Sequence, residues 1–136
     1  MLQMDRQEHR TCTQWPNHDP ANRDRKQFNQ AAAYPDVRIL EYRGVTTLDV
    51  TAGASGNSAT ASSGAATTTV ANELIFGADM VATLTKAAGT GFTSRVITTP
   101  DGDIAEDKTV TTAGSNTATA TLTSAGPWVM QMATFK

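Results

Sequence analysis

The chain has 136 residues and a formal net charge of −2, and a single domain of this size can bury a substantial core. Charged residues make up 18% of the sequence, below the usual level of about a quarter, and Thr, Ala, Ser and Gly take their place. No basic patch indicates nucleic acid, no apolar run reaches the about 20 residues of a membrane span, and the single cysteine excludes an intramolecular disulfide.

Residues 1–27 differ in composition from the rest of the chain. They contain nine of the 24 charged residues, both histidines and the only cysteine, and they show no helical or strand periodicity. Because so polar a segment buries too little apolar surface to offset its ordering entropy, we expect a disordered or loosely attached tail. Cys12, His9 and His18 lack a fourth ligand for zinc. The N-terminus also lacks the apolar region of a signal peptide, so an export signal is not expected in this chain.

The remaining residues show the patterns of short β-strands. Alternation is clearest in Asn116–Thr123, where Ala118, Ala120 and Leu122 lie on one face. Trp128–Phe135 has apolar residues on both faces, with Trp128, Met130 and Met132 on one of them, which predicts a central strand. The predicted strands are Val37–Tyr42, Glu73–Gly77, Phe92–Thr98, Asn116–Thr123 and Trp128–Phe135, with weaker ones at Leu48–Ala52, Thr67–Ala71, Met80–Lys86 and Ala105–Thr112.

Gly-rich and Ser-rich stretches separate these strands. We predict loops or turns at residues 53–57, 62–64, 88–91, 113–115 and 124–127. Short strands at intervals of about 8–12 residues with Gly turns are typical of antiparallel sandwiches and barrels. The sequence therefore predicts an all-β fold, an antiparallel β-sandwich of the jelly-roll type, from about residue 28 to residue 136.

The stretch TTPDGDIAEDK places four carboxylates within seven residues: Asp101, Asp103, Glu106 and Asp107. Pro100, Asp101 and Gly102 form a strong turn signal, so the first interpretation is a hairpin turn between two strands with solvated charges. A second is a calcium site, because clustered carboxylates and free carbonyls supply the oxygens that Ca²⁺ requires. The stretch does not match an EF-hand loop. No other cofactor is indicated.

A third interpretation is catalytic. A glycosidase needs two carboxylates about 5–10 Å apart, one of them in an apolar environment that raises its pKa. The candidates are Asp36, Glu41, Asp101, Asp103 and Glu106. Aromatic side chains suggest a different kind of site: if exposed, Trp128, Tyr42 and Tyr34 form a platform for stacking against sugars, whereas if buried they belong to the core.

Several stretches of the sequence resemble an uncharacterised family of bacterial extracellular β-sandwich domains. These domains are jelly-roll or lectin-like modules of secreted and surface proteins. The stretches are FNQAAAYPDVRILEYRG, ANELIFGA, GFTSRVITTPDGDIAEDKTV and GPWVMQMATFK, within residues 28–136. The resemblance implies an extracellular or cell-surface location. In such domains further strands precede the FNQ segment, which leads to the hypothesis that residues 1–27 come from a shifted reading frame or a misplaced start.

Two functional hypotheses follow. The first is a non-catalytic binding or structural module that contacts surface glycans or other surface proteins. The second is a small hydrolase, glycosidase-like, that uses a carboxylate pair. If strands are missing from the module, unpaired sheet edges are expected to favour a homo-oligomer.

Overall fold

Six antiparallel strands form the part of the chain that the computed structural model describes, residues 37–136, and no helix occurs there. The chain divides into two units, Met1–Ile39 and Leu40–Lys136, and all six strands lie in the second. Their bounds are β1 Leu48–Thr67, β2 Glu73–Val81, β3 Thr85–Ala88, β4 Thr93–Ile97, β5 Ile104–Val110 and β6 Ser115–Phe135. The predicted tail at residues 1–27, the boundary at residue 28, Tyr34 and Asp36 lie outside the described residues.

The two longest strands, β1 and β6, form an antiparallel ribbon that runs the length of the fold. The ribbon has two arms. In the first, the N-terminal arm of β6, residues 115–121, pairs with residues 60–67 of β1. In the second, the C-terminal arm of β6, residues 126–133, pairs with residues 51–58 of β1 in unbroken register. Between the arms, β6 has four residues where β1 has one, because Ser58 pairs with Gly126 and Thr60 with Thr121. The ladder is therefore interrupted at this point, which allows the ribbon to bend.

The shorter strands are added to the other edge of β6. β2 pairs with the C-terminal arm, β5 pairs with β2 and β4 with β5, so the main order is β1-β6-β2-β5-β4. β3 pairs with the N-terminal arm of β6, away from this path. One half of the sheet thus consists of the N-terminal arm of β6 with β3, and the other half carries β2, β5 and β4.

These two halves face each other across the hydrophobic core. Buried residues from the first half, such as Ala118 and Leu122, belong to the same cluster as Ile75, Ile104 and Met130 from the second half. The approach is close: a Cβ built on Gly77 would lie 2.8 Å from the Cβ of Ala118. The predicted all-β antiparallel fold is confirmed, and its two facing halves are consistent with a sandwich.

The loops predicted at residues 53–57, 62–64 and 124–127 are wrong, because these small residues lie within β1 and β6. At two of the glycines in these stretches, close packing leaves no room for a larger residue. A Cβ on Gly56 would meet the Trp128 ring at 2.5 Å, and one on Gly126 would meet Thr83 Cγ2 at 2.6 Å. In this chain glycine therefore marks close contacts within strands as well as turns.

Two predicted strands are also wrong, and a third, Met80–Lys86, is divided because residues 82–84 lie between β2 and β3. Val37–Tyr42 forms no strand; the Tyr42 side chain instead contacts Asp107, in a strand that is already paired on both sides, so this end of the segment has no free edge to join. Thr67–Ala71 mostly forms a turn. Its backbone is held by side chains: Asp49 accepts hydrogen bonds from Thr69, and Glu73 accepts one from the Val70 N–H.

No helix that is long and apolar enough to cross a membrane was found among residues 37–136.

The positive φ at Gly102 supports the predicted hairpin turn between β4 and β5. We expect Gly102→Ala to destabilise the fold by about 2–4 kcal/mol, because φ is +75° and the new Cβ would lie 2.6 Å from Leu84 Cδ2. Substitutions at Gly91 and Gly114 distinguish the effect of the positive φ from that of the close contact. Gly91 has a φ of +79° with open space around its Cβ position, so Gly91→Ala should cost only about 1–2 kcal/mol. Gly114→Ala, with neither constraint, should be close to neutral.

Urea denaturation of the three variants measures this order directly. Equal stability of the Gly102 and Gly91 variants would contradict the proposed contact with Leu84.

Candidate functional site

The four clustered carboxylates separate into different environments. Asp101 is exposed in the turn, as the hairpin interpretation predicts. Asp103 is buried, and its Oδ1 accepts a hydrogen bond of 2.8 Å from the backbone N–H of Val81 at the end of β2. Asp103 therefore ties the β4–β5 turn to the end of β2.

Asp107 lies on the outer face of the sheet, away from the core, in a buried ion pair. Its two carboxylate oxygens accept hydrogen bonds from Arg95 Nε at 2.7 Å and Nη2 at 2.8 Å, and Oδ2 also accepts one from the Tyr42 hydroxyl at 2.5 Å. Only about 5% of the Asp107 side chain is exposed, against 27% of Arg95. Such bidentate, charge-assisted pairs are the strongest of the side-chain hydrogen bonds.

A β-bulge in β4 directs Arg95 towards Asp107. Ser94 pairs with Glu106 and Val96 with Ala105, so Arg95 is an extra residue without a pairing partner in β5. A bulge places two successive residues on one face, and here Arg95 joins Val96 on the face that carries Ala105 and Asp107. The simple alternation expected for Phe92–Thr98 does not include this extra residue.

Burial and the neighbouring charges determine the protonation of Tyr42 and Arg95. Burial, and then the hydrogen bond to Asp107, raise the pKa of Tyr42 well above its usual value. The hydrogen bond to Asp107 raises the pKa of Arg95. Tyr42 therefore stays a neutral donor and Arg95 a cation, and Asp107 has no unpaired oxygen with which to act on a substrate.

Glu106 points to the opposite face, into the space between the two halves of the sheet. It is fully buried, and Oε2 accepts a hydrogen bond of 2.8 Å from the Gly89 N–H next to β3. Oε1 is buried without a hydrogen-bond partner among residues 37–136. Gly77 makes room for this carboxyl, because a Cβ there would lie 3.1 Å from Oε1.

This environment raises the pKa of Glu106 to about 7. The main cause is burial, the negative charge of Asp79 adds to it, and the Gly89 N–H opposes it. Asp79 is itself buried, and it accepts hydrogen bonds from the Ile104 N–H at 2.7 Å and the Thr85 hydroxyl at 2.8 Å. The interior thus contains a carboxyl whose pKa is suitable for a general acid, but it has no exposed surface through which to meet a substrate.

The described residues contain no group of three or more His, Cys, Asp or Glu side chains arranged to hold a metal ion. Asp101, Asp103, Glu106 and Asp107 do not converge, and the calcium site stays a prediction. Of the other candidate carboxylates, Asp36 lies outside the described residues. Glu41 is about 80% exposed and forms a loose ion pair of 3.6 Å with Arg43.

Trp128 and Tyr42 lie on opposite faces of the sheet. Trp128 is half-buried on the inner face of β6, packs on Gly56, and donates a hydrogen bond of 3.0 Å from Nε1 to the Ser58 hydroxyl. Tyr42 lies on the outer face, where its ring meets that of Phe76 edge to face at a centroid distance of 6.4 Å. Tyr34 lies outside the described residues.

An open groove lies on the outer face of β1, β6 and β2. Its volume is about 530 Å³. The lining residues are Thr51, Ala52, Gly53, Phe76, Ala78, Gln131, Met132 and Ala133. Strand register explains why six of these eight residues lie together on the outer face. Phe76, Ala133 and Thr51 lie side by side in one row across the three strands, and the next row is Ala78, Gln131 and Gly53.

The groove combines an aromatic ring, small side chains and uncharged polar groups. None of its lining residues carries a charge, although Asp107 and Arg95 lie near Phe76 on the same face of the sheet. The exposed pair Met80 and Val129 continues the apolar surface along the strands. Sequence analysis missed these residues. Alternation in ELIFGADM could have placed Phe76, Ala78 and Met80 together on one face, but not opposite Gln131 and Thr51.

Comparison with known proteins gave no matching family model and no similar curated protein or solved structure.

The Asp107 ion pair makes a testable contribution to stability. We expect Asp107→Asn to lower the free energy of unfolding by about 2 kcal/mol, because Arg95 loses its ionic partner and Tyr42 loses a charged acceptor. Asp101→Asn is the matched control, since Asp101 is exposed in the turn. Denaturant titration of both variants gives the difference. Equal stabilities would contradict a stabilising role for the ion pair.

Glu106 predicts a stability that falls as the pH rises. The unfolded chain ionises this carboxyl near its ordinary pKa of 4.5, whereas the folded chain keeps it protonated up to about pH 7. Below pH 4.5 both states hold the proton, so stability is lost between about pH 4.5 and 7. Above that range the ionised carboxylate costs on the order of 3 kcal/mol, because each unit of pKa difference corresponds to about 1.4 kcal/mol.

Glu106→Gln mimics the protonated form and should remove this dependence. We expect the variant to gain thermal stability over the wild type at pH 8 but not at pH 4.5. Glu41→Gln is the control, because Glu41 is largely exposed. A parallel pH dependence in the wild type and the Glu106 variant would show that Glu106 does not titrate as described.

Proposed function

We propose that this protein is a non-catalytic binding module that holds neutral glycans in the outer-face groove. The observation that carries the proposal is the uncharged, aromatic-containing groove of about 530 Å³ on β1, β6 and β2. Ligand sites combine a largely apolar concave surface with a few polar groups that fix orientation. Here Phe76 supplies the apolar surface, and Thr51 and Gln131 supply hydrogen-bonding groups.

A glycan matches this chemistry because a sugar ring has an apolar C–H face and a rim of hydroxyls. The C–H face can pack on the Phe76 ring, which Tyr42 holds in place by its edge-to-face contact. Hydroxyls can then bond to the exposed side chains of Thr51 and Gln131. The absence of charged side chains among the lining residues favours a neutral ligand over an acidic one.

We also propose an extracellular or cell-surface location for the module. The proposal is supported by the sparse charge and the abundance of Thr and Ala in the strands. Surface glycans are available to a binding module in that location.

The raised pKa of Glu106 is the observation that favours the hydrolase as a second candidate. Its burial argues against the role, because a general acid must lie within hydrogen-bond reach of the substrate. Chromogenic glycosides and esters test the candidate. Turnover by the wild type that is lost in Glu106→Gln would show that the protein is a hydrolase and would refute the non-catalytic binding module.

Affinity electrophoresis in gels that contain neutral polysaccharides, for example β-glucan, xylan and galactomannan, tests the binding module. We expect retardation by at least one of them, and weakening by about fivefold in Thr51→Ala and in Gln131→Ala, because each loses a hydrogen bond to the ligand. Thr123→Ala is the matched control, since Thr123 is also exposed but lies outside the groove. Absence of retardation, or equal retardation of all the variants, would refute the proposal.

A further inference from the structure

β1 is the longest strand at an edge of the sheet. No other strand in residues 37–136 pairs with the side of β1 that faces away from β6. Such an edge presents unpaired N–H and C=O groups to which another strand can bond. From Val50 to Asn72 the sequence contains no charged residue and no proline, so two of the usual protections of an edge are missing there.

The two arms of β1 differ in how well they can accept a partner. In the arm at residues 60–67 the register shifts between Ser62 and Ala65, and Gly64 has a φ of +72°. Bulges of this kind disrupt an edge. The arm Thr51–Ser58 keeps an unbroken register with β6 and therefore presents a regular edge.

The opposite edge of the sheet is protected. β4 has only five residues, contains the bulge, and carries Arg95. Short length, a bulge and a charge are the features by which edge strands avoid pairing with other chains. The regular arm of β1 has none of these, and this contrast between the two ends of the strand order β1-β6-β2-β5-β4 points to β1 as the pairing surface.

We propose that residues 51–57 pair antiparallel with the same residues of a second copy of this chain, across a two-fold axis at Ala54. An axis perpendicular to the sheet keeps the outer faces of the two copies on the same side, and Gly53 then lies opposite Ser55 of the other copy. Ala52 likewise lies opposite Gly56. The segment TAGASGN contains only small, uncharged side chains, so its antiparallel self-pairing brings together neither like charges nor bulky groups.

A second copy fits this edge better than a charged or bulky partner strand because the segment is self-complementary. The pairing would also join the outer faces of the two copies, since Thr51 and Gly53 lie both in the groove and on the pairing strand. The pairing does not depend on the proposed glycan binding, because it is measured without ligand.

Sedimentation velocity of the full chain from about 1 to about 200 μM tests the proposal. We expect the wild type to shift from monomer to dimer within this range. Ala54→Lys should weaken the dimer at least about fivefold, because it places two like charges opposite each other at the axis. Ala125→Lys is the matched control: it adds the same charge at an exposed position in β6, outside the β1 edge. A wild type that stays monomeric, or equal effects of the two lysines, would overturn the proposal.

A charge swap tests the register. Ala54→Lys and Ala54→Glu should each be mainly monomeric, and an equimolar mixture should form a heterodimer because lysine then faces glutamate. Failure of the mixture to associate would overturn the two-fold at Ala54.

Hydrogen exchange of the wild type covers the case in which these variants do not fold. Amides in residues 51–57 should gain protection as the protein concentration rises, while those of β4 should not. No change in residues 51–57 in a wild-type dimer would place the interface elsewhere.

Discussion

The bent ribbon of β1 and β6 is the constraint on which the rest of the structure depends. Every other element is attached to it: β2 and β3 pair directly with β6, and β5 and β4 follow β2. The interruption between Ser58 and Thr60 lets one pair of strands contribute to both halves of the core. Because the two halves share these strands, packing in one half depends on the position of the other.

Neighbouring carboxylates serve opposite sides of this arrangement. Glu106 and Asp107 are adjacent in the sequence, and the pleat of β5 sends one into the core and the other to the outer face. Asp107 receives three hydrogen bonds from Arg95 and Tyr42, whereas Glu106 receives one from the Gly89 N–H. The carboxylates that are clustered in the sequence therefore have separate structural roles, and they do not converge on one ligand.

Local patterns predicted the strand class, the hairpin at Gly102, and the shared face of Trp128, Met130 and Met132. These follow from alternation and turn chemistry, which depend on near neighbours in the chain. Long-range packing decided the remaining features. The glycines in β1 led to the prediction of loops, because the nearby sequence does not reveal that Trp128 lies across from Gly56.

The candidate site was less predictable than the fold for the same reason. Phe76 and Thr51 become neighbours only through the register of β2 and β1 with β6. Arg95 meets Asp107 only because of an extra residue in β4, and periodicity alone cannot locate such a residue.

The bulge at Arg95 also bears on how the length of the chain can change during evolution. Deleting one residue between Thr93 and Ile97 would restore simple alternation to β4 and take away the extra residue that brings Arg95 to the face of Asp107. Insertions at the exposed turn around Asp101 would leave that pairing in place. We therefore expect descendants of this sequence to vary in turn length while β4 keeps its odd residue.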